Sequence, residues 1–495
     1  MALINVTNLT FSYDGSYDNI FEDVSFQIDT NWKLGFTGRN GRGKTTFLRL
    51  LQGKYEYSGK ISADVDFEYF PYEVTDMNAL TTDIIAEISP ECLEWQVFRE
   101  LKLLEVDEEV LYRPFATLSN GEQTKALLAA LFLRENSFFL IDEPTNHLDK
   151  EARKSVAAYL NRKSGYILVS HDRAFLDCCV DHILSINRNS IDVQKGNFST
   201  WWENKQLRDS FELAENEKLK KDISRLEAAA RRTEKWSDTA EQRKIGFIPS
   251  KVEKSLGRRP LEGAKAKKLM ARSSAIRSRQ EAAIEEKSSL LKNLEKCDDL
   301  KLSPLCFRGG CITEFKDVSL RYGEKEVCEG VSFKLETGDR VALCGRNGCG
   351  KSSILKLICG EEICYDGSII IGSRLRISYV PQSAEGLSGR LTDYAAEYGI
   401  DESLFLAILR KLDFSRTQFD KRIETFSGGQ KKKVLIARSL CEEAHLYVWD
   451  EPLNYIDVLS RIQIEKLLTE YSPTLLFVEH DSVFCEKIAT ASVYL

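Results

Sequence analysis

Two kinds of hydrophobic pattern divide the chain. Over residues 1–199, and again over 306–495, short apolar runs alternate with longer amphipathic segments. KLGFT (33–37), FFLID (138–142) and YILVSH (166–171) predict buried strands in the first stretch; RVALC (340–344), LYVWD (446–450) and TLLFVEH (474–480) do so in the second. TTFLRLL (45–51) sets apolar residues at helical spacing just after a strand. This alternation predicts α/β domains, each with a largely parallel sheet.

Residues 200–305 follow a different period. Leu207, Phe211, Ala214, Ile223, Leu226 and Ala230 recur at three- and four-residue spacing, and a second stripe runs through Ile276, Ala283, Ile284, Leu290, Leu291 and Leu294. Gly246, Pro249, Gly257, Pro260 and Gly263 interrupt them. The segment therefore predicts two long antiparallel helices joined by an irregular tip at about 245–263, an arm of about 40 residues reaching ~60 Å at ~1.5 Å per residue.

The two α/β stretches repeat each other. GRNGRGKTT (38–46) returns as GRNGCGKSS (345–353), LSNGEQ (118–123) as FSGGQK (426–431), IDEPTNHLD (141–149) as WDEPLNYID (449–457), and SHD (170–172) as EHD (479–481). All four pairs share an offset of 307 to 309 residues, the mark of a duplicated domain.

Charge separates the middle segment from both copies. The 495 residues carry a net charge of −7, yet residues 216–296 hold 22 Lys or Arg against 12 Asp or Glu, leaving −17 on the remainder. The excess concentrates in 231–279, with 15 basic residues against 5 acidic. A lysine-rich helix is often only a solvated face; an excess gathered at the far end of a hairpin better suits contact with phosphates, where each contact releases counterions. The 13 cysteines lie in apolar runs such as LKLICG, as expected of reduced thiols in a cytoplasmic protein. Cys178 and Cys179 with His182 lack a fourth ligand, and Cys306 with Cys311 lacks a second pair, so neither predicts a metal site. No apolar run approaches the ~18 to 20 residues of a membrane span, which predicts a protein that stays in the cytoplasm.

The repeated motifs carry phosphate chemistry. Gly38, Arg39, Asn40, Gly41, Arg42, Gly43, Lys44 and Thr45, followed by Thr46, fit G-x-x-x-x-G-K-[ST]; Gly345, Asn347, Gly348, Gly350, Lys351 and Ser352, followed by Ser353, fit it again. Glycines let successive N–H groups curl around an anion at a helix N-terminus, the lysine reaches the β and γ phosphates, and the hydroxyl of Thr45 or Ser352 holds Mg²⁺. Asp142 and Asp450 close buried strands, where a carboxylate is costly unless it serves a metal or its waters. Glu143 and Glu451 follow, placed to polarise an attacking water, while His171 and His480 lie near a later strand end, placed to contact the γ phosphate. Cys349 lies inside the second loop, so alkylation there is expected to block nucleotide binding.

These loops, the Asp-Glu pairs, the two histidines and the LSNGEQ and FSGGQK segments together resemble tandem ABC-type ATPases. The resemblance implies an α/β fold with two tandem ABC-type P-loop nucleotide-binding domains, 1–199 and 306–495, joined by a long antiparallel helical-hairpin linker, 200–305. It implies ATP and Mg²⁺ as cofactors, and a single chain whose two ATPase domains pair head to tail. The first site then combines Lys44, Asp142, Glu143 and His171 with Ser427 and Gly429, and the second Lys351, Asp450, Glu451 and His480 with Ser119 and Gly121. Tyr13 and Tyr322 stand where the family stacks an aromatic on adenine. Gln382 in YVPQ matches the glutamine that senses Mg²⁺, whereas YFPY puts Tyr72 there in the first copy, and Asn120 replaces a signature glycine; unequal turnover at the two sites is expected.

EPTNHLD followed by SHDR, two fused ATPase domains and a charged helical linker resemble the ABC-F translation proteins, and the linker with WDEPLNYID and FSGGQKKKV is similar to their Lsa-type branch. That resemblance implies protection of the bacterial 70S ribosome from lincosamides, pleuromutilins and streptogramin A. It implies a linker entering the exit site of the large-subunit rRNA, meeting the peptidyl-site tRNA and pointing to the peptidyl transferase centre. Arg258, Arg259, Lys265, Lys267, Lys268 and Arg272 are then expected to contact RNA backbone, with Phe247, Ile248 and Leu256 at the tip. A housekeeping ABC-F factor acting on stalled ribosomes, and the ATPase subunit of a drug exporter, remain alternatives.

Overall fold

All six runs expected to be strands form strands in the computed structural model, which describes residues 3–13, 19–146, 148–186, 191–245, 279, 300–323 and 325–495. Contacts divide the chain into two units, Met1–Trp201 with Cys297–Leu495, and Trp202–Lys296. In the first unit, β3 (Lys33–Thr37), β5 (Asp66–Phe70), β6 (Ser137–Asp142), β7 (Tyr166–Val169), β8 (His182–Ile186) and β9 (Ile191–Lys195) make a six-stranded sheet in the order β5-β6-β7-β3-β8-β9. Only β8 and β9 pair antiparallel there. The second copy lays β12 (Arg340–Cys344), β14 (Ile377–Val380), β15 (Leu446–Asp450), β16 (Leu475–Val478) and β17 (Ala491–Tyr494) in the order β14-β15-β16-β12-β17, all parallel.

A second, antiparallel sheet in each copy lies outside the expectation of a parallel one. It has the order β2-β1-β4 in the first, from β1 (Leu3–Phe11), β2 (Phe21–Asp29) and β4 (Ser58–Ser62), and β11-β10-β13 in the other, from β10 (Cys311–Tyr322), β11 (Lys325–Glu336) and β13 (Cys364–Ile371). Ile4, Val6, Leu9 and Phe11 of β1 are buried while much of the strand between them is not, the alternation of a sheet with one wet face.

The helix Lys44–Leu51 buries Phe47, Leu48, Leu50 and Leu51 in a core shared by both sheets of the first copy. The Phe47 ring centroid lies 5.6 Å from those of Phe26 and Phe36 and 6.0 Å from that of Phe21, so one side chain ties β2 and β3 to the helix that follows the glycine loop. Burying such a ring contributes roughly 1.5–3 kcal/mol. Ile354 takes the corresponding place in the second copy, fully buried in the core that also holds the stacked rings of Phe315 and Phe333.

Motif residues also start helices. Asp149 accepts from the Ala152 amide at 2.9 Å and Asp457 from the Ser460 amide at 3.0 Å, while Asp172 and Asp481 do the same for Phe175 and Phe484 at 3.0 and 3.1 Å. The last Asp of each IDEPTNHLD-like run and of each SHD-like run therefore points the chain away from the sheet edge where the preceding carboxylates sit.

The segment after the first copy opens with the helix Phe198–Ile245, 48 residues long and so ~70 Å at ~1.5 Å per residue. Leu207 and Phe211 of its expected stripe are exposed. The returning stripe, the tip residues Phe247, Ile248 and Leu256, and Arg258, Arg259, Lys265, Lys267, Lys268 and Arg272 lie outside the described residues. Among the described residues, no helix is long and apolar enough to cross a membrane.

Candidate ATP-binding and hydrolysis sites

Both glycine loops fold alike. Gly38, Gly41 and Gly43 take φ of 153°, 81° and 94°; Gly345, Gly348 and Gly350 take 153°, 82° and 92°. A Cβ on Gly43 would sit 2.5 Å from Ile20 Cγ2 as well as in a left-handed backbone, so only glycine lets the loop turn into its helix there. Lys44 is buried and its Nζ donates to the Gly38 carbonyl at 2.7 Å and to Asn40 Oδ1 at 3.2 Å; Lys351 Nζ donates to the Gly345 and Arg346 carbonyls at 2.9 and 2.8 Å. Each ammonium is thus held in the concavity of its own loop.

The strand-end acids sit opposite. Thr45 Oγ1 donates to Asp142 Oδ2 at 2.9 Å, and Tyr69 donates to the same oxygen at 3.1 Å. Burial raises the Asp142 carboxyl, with Thr45 and Tyr69 opposing the rise. In the second copy, the buried Asp450 has neither oxygen hydrogen-bonded among the described residues, although the Ser352 hydroxyl lies near enough to oppose the upward push of burial. An unpartnered buried carboxylate is costly, and beside a loop hydroxyl it suits a divalent cation. Thr45 with Asp142, and Ser352 with Asp450 and Gln382, therefore fit Mg²⁺.

Glu143 and Glu451 both adopt positive φ, 51° and 45°, a strained conformation for a non-glycine residue. Glu143 Oε1 lies 3.4 Å from His171 Nε2, and Glu451 Oε1 lies 3.5 Å from His480 Nε2. Their surroundings differ. Burial and then Asp142 push Glu143 up to about 8, and burial and then Lys44 push His171 well down. Burial also acts on Glu451, but His480, Gln382 and Asn454 outweigh it and hold the carboxyl at about 2; Asn454 Nδ2 donates to Oε2 at 2.6 Å.

The two copies meet at these loops. Asn40 Nδ2 donates to the Tyr455 carbonyl at 2.8 Å, and a methyl on Gly429 would lie 2.5 Å from that carbonyl and 3.2 Å from Asn40 Nδ2. Ser427 caps the helix Gly428–Cys441, and Ser119 caps Asn120–Leu131. Arg39 pairs with Asp413 at 2.9 Å, and Arg173 pairs with Glu465. At the second loop the corresponding space is a cavity of about 700 Å³, lined by Arg346, Asn347, Gly348, Gly350, Lys351, Ser352, Ser353, Gln382, Glu451 and His480 from one copy and Ser119, Asn120 and Gly121 from the other. Every residue expected at the second site, except Tyr322, Gly345 and Asp450, lines this one cavity.

Tyr13 and Tyr322 flank the loops with exposed rings; Tyr13 shares a hydrogen bond of 2.8 Å with Thr46 Oγ1, and Tyr322 donates to Ser353 Oγ at 3.2 Å. Tyr72 does not stand in for Gln382. Its hydroxyl donates to Glu87 Oε1 at 3.1 Å, and Tyr69 reaches Asp142 instead. Tyr69, Asn454 and Tyr455 join the sites without belonging to any of the repeated catalytic positions. The signal for Tyr455 is its place in WDEPLNYID, between the Asp-Glu pair and the capping Asp457.

Two phosphate loops, each with a strand-end Asp-Glu pair and a histidine, the first beside Gly429 of the other copy and the second facing Ser119 and Gly121, define a tandem P-loop ATPase. A family model described as "ABC transporter" matches residues 21–146 and 328–454, just over half of the chain. The protein belongs to the ABC transporter family, in its ABC-F branch, and is an ATP-hydrolysing enzyme. It is similar to the ribosome protection protein VmlR of Bacillus subtilis (strain 168), 28% identical with 100% of this chain and 86% of that protein covered. The ATP-binding protein Uup of Caulobacter vibrioides is 27% identical, covering 96% and 74%, and ABC transporter F family member 2 of Arabidopsis thaliana is 24% identical, covering 98% and 75%. Among solved structures, a ribosome-bound archaeal Pelota and ABCE1 model shares the fold with a TM-score of 0.61 at 19% identity, over 97% of this chain and 75% of that one.

Proposed function

We propose that the protein is an ATP-driven factor of the bacterial ribosome that protects it from lincosamide, pleuromutilin and streptogramin A antibiotics. The observation that carries this reading is the end-to-end similarity to a protein named for ribosome protection, in a chain whose only strongly basic segment lies between two ATPase domains. ATP binds each glycine loop through Lys44 or Lys351 and is covered by Ser427 and Gly429 or by Ser119 and Gly121 of the other copy; Tyr13 and Tyr322 take the adenine. Glu143 and Glu451 orient and deprotonate the attacking water, and His171 and His480 position it against the γ phosphate. Thr45 and Asp142, and Ser352, Asp450 and Gln382, would hold Mg²⁺, which would supply charge neutralisation for the phosphates.

Closure on ATP fixes the linker orientation that suits a stalled ribosome, and hydrolysis releases it. The linker enters from the exit site toward the peptidyl-site tRNA, with Arg258, Arg259, Lys265, Lys267, Lys268 and Arg272 on RNA backbone and Phe247, Ile248 and Leu256 leading. Drug leaves because RNA or tRNA rearranges around the tip. The test is a purified translation reaction with the drug present. Rescue by the wild type and ribosome trapping by Glu143→Gln, Glu451→Gln with ATP are expected. Binding without rescue from any ribosome-targeting drug favours a housekeeping factor, and no ribosome binding at all removes the reading.

A further inference from the structure

The duplication provides an internal control for surface features. The helix Glu94–Leu103 in the first copy matches Glu402–Lys411 in the second at an offset of 308, the same offset that relates Ser119 to Ser427. Asp401 caps the second helix, accepting from the Leu404 amide at 2.7 Å; the first helix has Leu93 at that position, whose side chain carries no acceptor. Trp95 stands where the second copy has Ser403, and Tyr112 where it has Asp420. Leu93 and Trp95 are each 57% exposed and Tyr112 is 62% exposed. The Tyr112 hydroxyl donates to Glu94 Oε1 at 3.4 Å, which sets it beside the helix turn that carries Leu93 and Trp95 on either side of Glu94.

The second copy folds the same helices with polar residues at all three places. Folding therefore does not explain a forgone cap and three large apolar side chains left in water. Leu93, Trp95 and Tyr112 do not line the cavity at the second ATP site either. The charge around them is also peculiar to this copy. Residues 91–112 carry seven acidic against two basic side chains, whereas 399–420 carry four against three. Such a field repels nucleic-acid phosphates and favours ammonium and guanidinium groups. The Trp95 ring already carries one guanidinium, that of Arg99, 5.6 Å from its centroid.

We propose that Leu93, Trp95 and Tyr112 form a docking surface for a lysine- and arginine-rich segment of a ribosomal protein, an inference that rests on the ribosome reading above. The rings take the apolar stems and cationic heads of the partner, and Glu91, Glu94, Glu108 and Glu109 pair the remaining charge. To test it, a photoreactive benzophenone amino acid is placed at Glu91 in the Glu143→Gln, Glu451→Gln protein, which is bound to purified ribosomes with ATP, irradiated and sedimented. The expected product is a cross-link to a basic ribosomal-protein segment. Its yield should fall at least tenfold in Leu93→Asp, Trp95→Ser, Tyr112→Asp, a variant built from the second copy's residues. In the otherwise wild-type chain without ribosomes, that triple substitution should keep its ATPase rate and melt no lower, and Trp95→Ala alone provides a milder second variant. Cross-links to rRNA, none on particles that carry the protein, or a yield unchanged in the variants would each overturn the surface while leaving ribosome binding intact. A protein that does not sediment with ribosomes at all would remove both readings together.

Discussion

Arg39 of the first phosphate loop pairs with Asp413 of the second copy at 2.9 Å, while its counterpart Arg346 pairs instead with the exposed Glu151 at 3.4 Å. The residue equivalent to Asp413 is Glu105, and both take positive φ, 71° and 56°. Glu105 and Arg346 line the same cavity. The same latch is made at one site and unmade at the other. Arg346→Glu and Glu105→Arg should each lower ATPase activity several-fold, and the double swap should restore most of it, with a coupling of about 1 kcal/mol or more. Additive losses would rule the latch out.

Glu451 accepts from Asn454 Nδ2 at 2.6 Å and shares its cavity with Gln382, whereas Glu143 Oε1 has no hydrogen-bond partner among the described residues and Tyr72, in the glutamine's place, turns to Glu87. The second site should therefore turn over faster. Glu451→Gln is expected to cost the larger share of steady-state ATPase, on the order of 10²-fold at that site, and Glu143→Gln visibly less. Equal losses in the two single variants would refute the asymmetry.

Tyr69 and Tyr72 should separate cleanly. With the second site disabled by Glu451→Gln, Tyr69→Phe should raise the Mg²⁺ concentration for half-maximal activity by about tenfold, because it removes a hydrogen bond that orients Asp142. Tyr72→Phe, which only frees Glu87, should leave that concentration unchanged.

Glu100 is a buried acid outside both sites, bound by Lys163 Nζ at 2.6 Å and the Tyr159 hydroxyl at 2.7 Å. Burial pushes its carboxyl up, but these partners outweigh it and hold it below the ordinary 4.5. A depressed carboxyl stabilises the fold fully above its unfolded pKa and loses that contribution as pH falls through the folded one. Glu100→Gln should cost about 3–5 kcal/mol at neutral pH, with the gap to wild type narrowing below pH 4.5 in denaturant melts.

The parallel sheets and both glycine loops were legible because their signals are local. KLGFT and RVALC each coincide with one strand, and the two loops repeat the same φ values within 2°. The antiparallel sheets were not legible from the buried apolar runs, since LINVTNLTF alternates and carries a weaker apolar signal. Tyr72 occupies the glutamine's place in the sequence, yet which tyrosine of YFPY turns inward depends on the strand pleat and on Glu87. The Asn40–Tyr455 and Arg39–Asp413 contacts join residues hundreds of positions apart, and neither partner carries a mark that names the other.

The clasp at the first site changes what ATP must accomplish at the second. Asn40, Arg39 and Arg173 already join the copies there, and Arg346 with Glu151 joins them again beside the second loop. Much of the ordering cost of setting two domains face to face is therefore met before the second nucleotide arrives, which leaves it local side chains, Arg346 and Ser119 among them, to arrange around the phosphates.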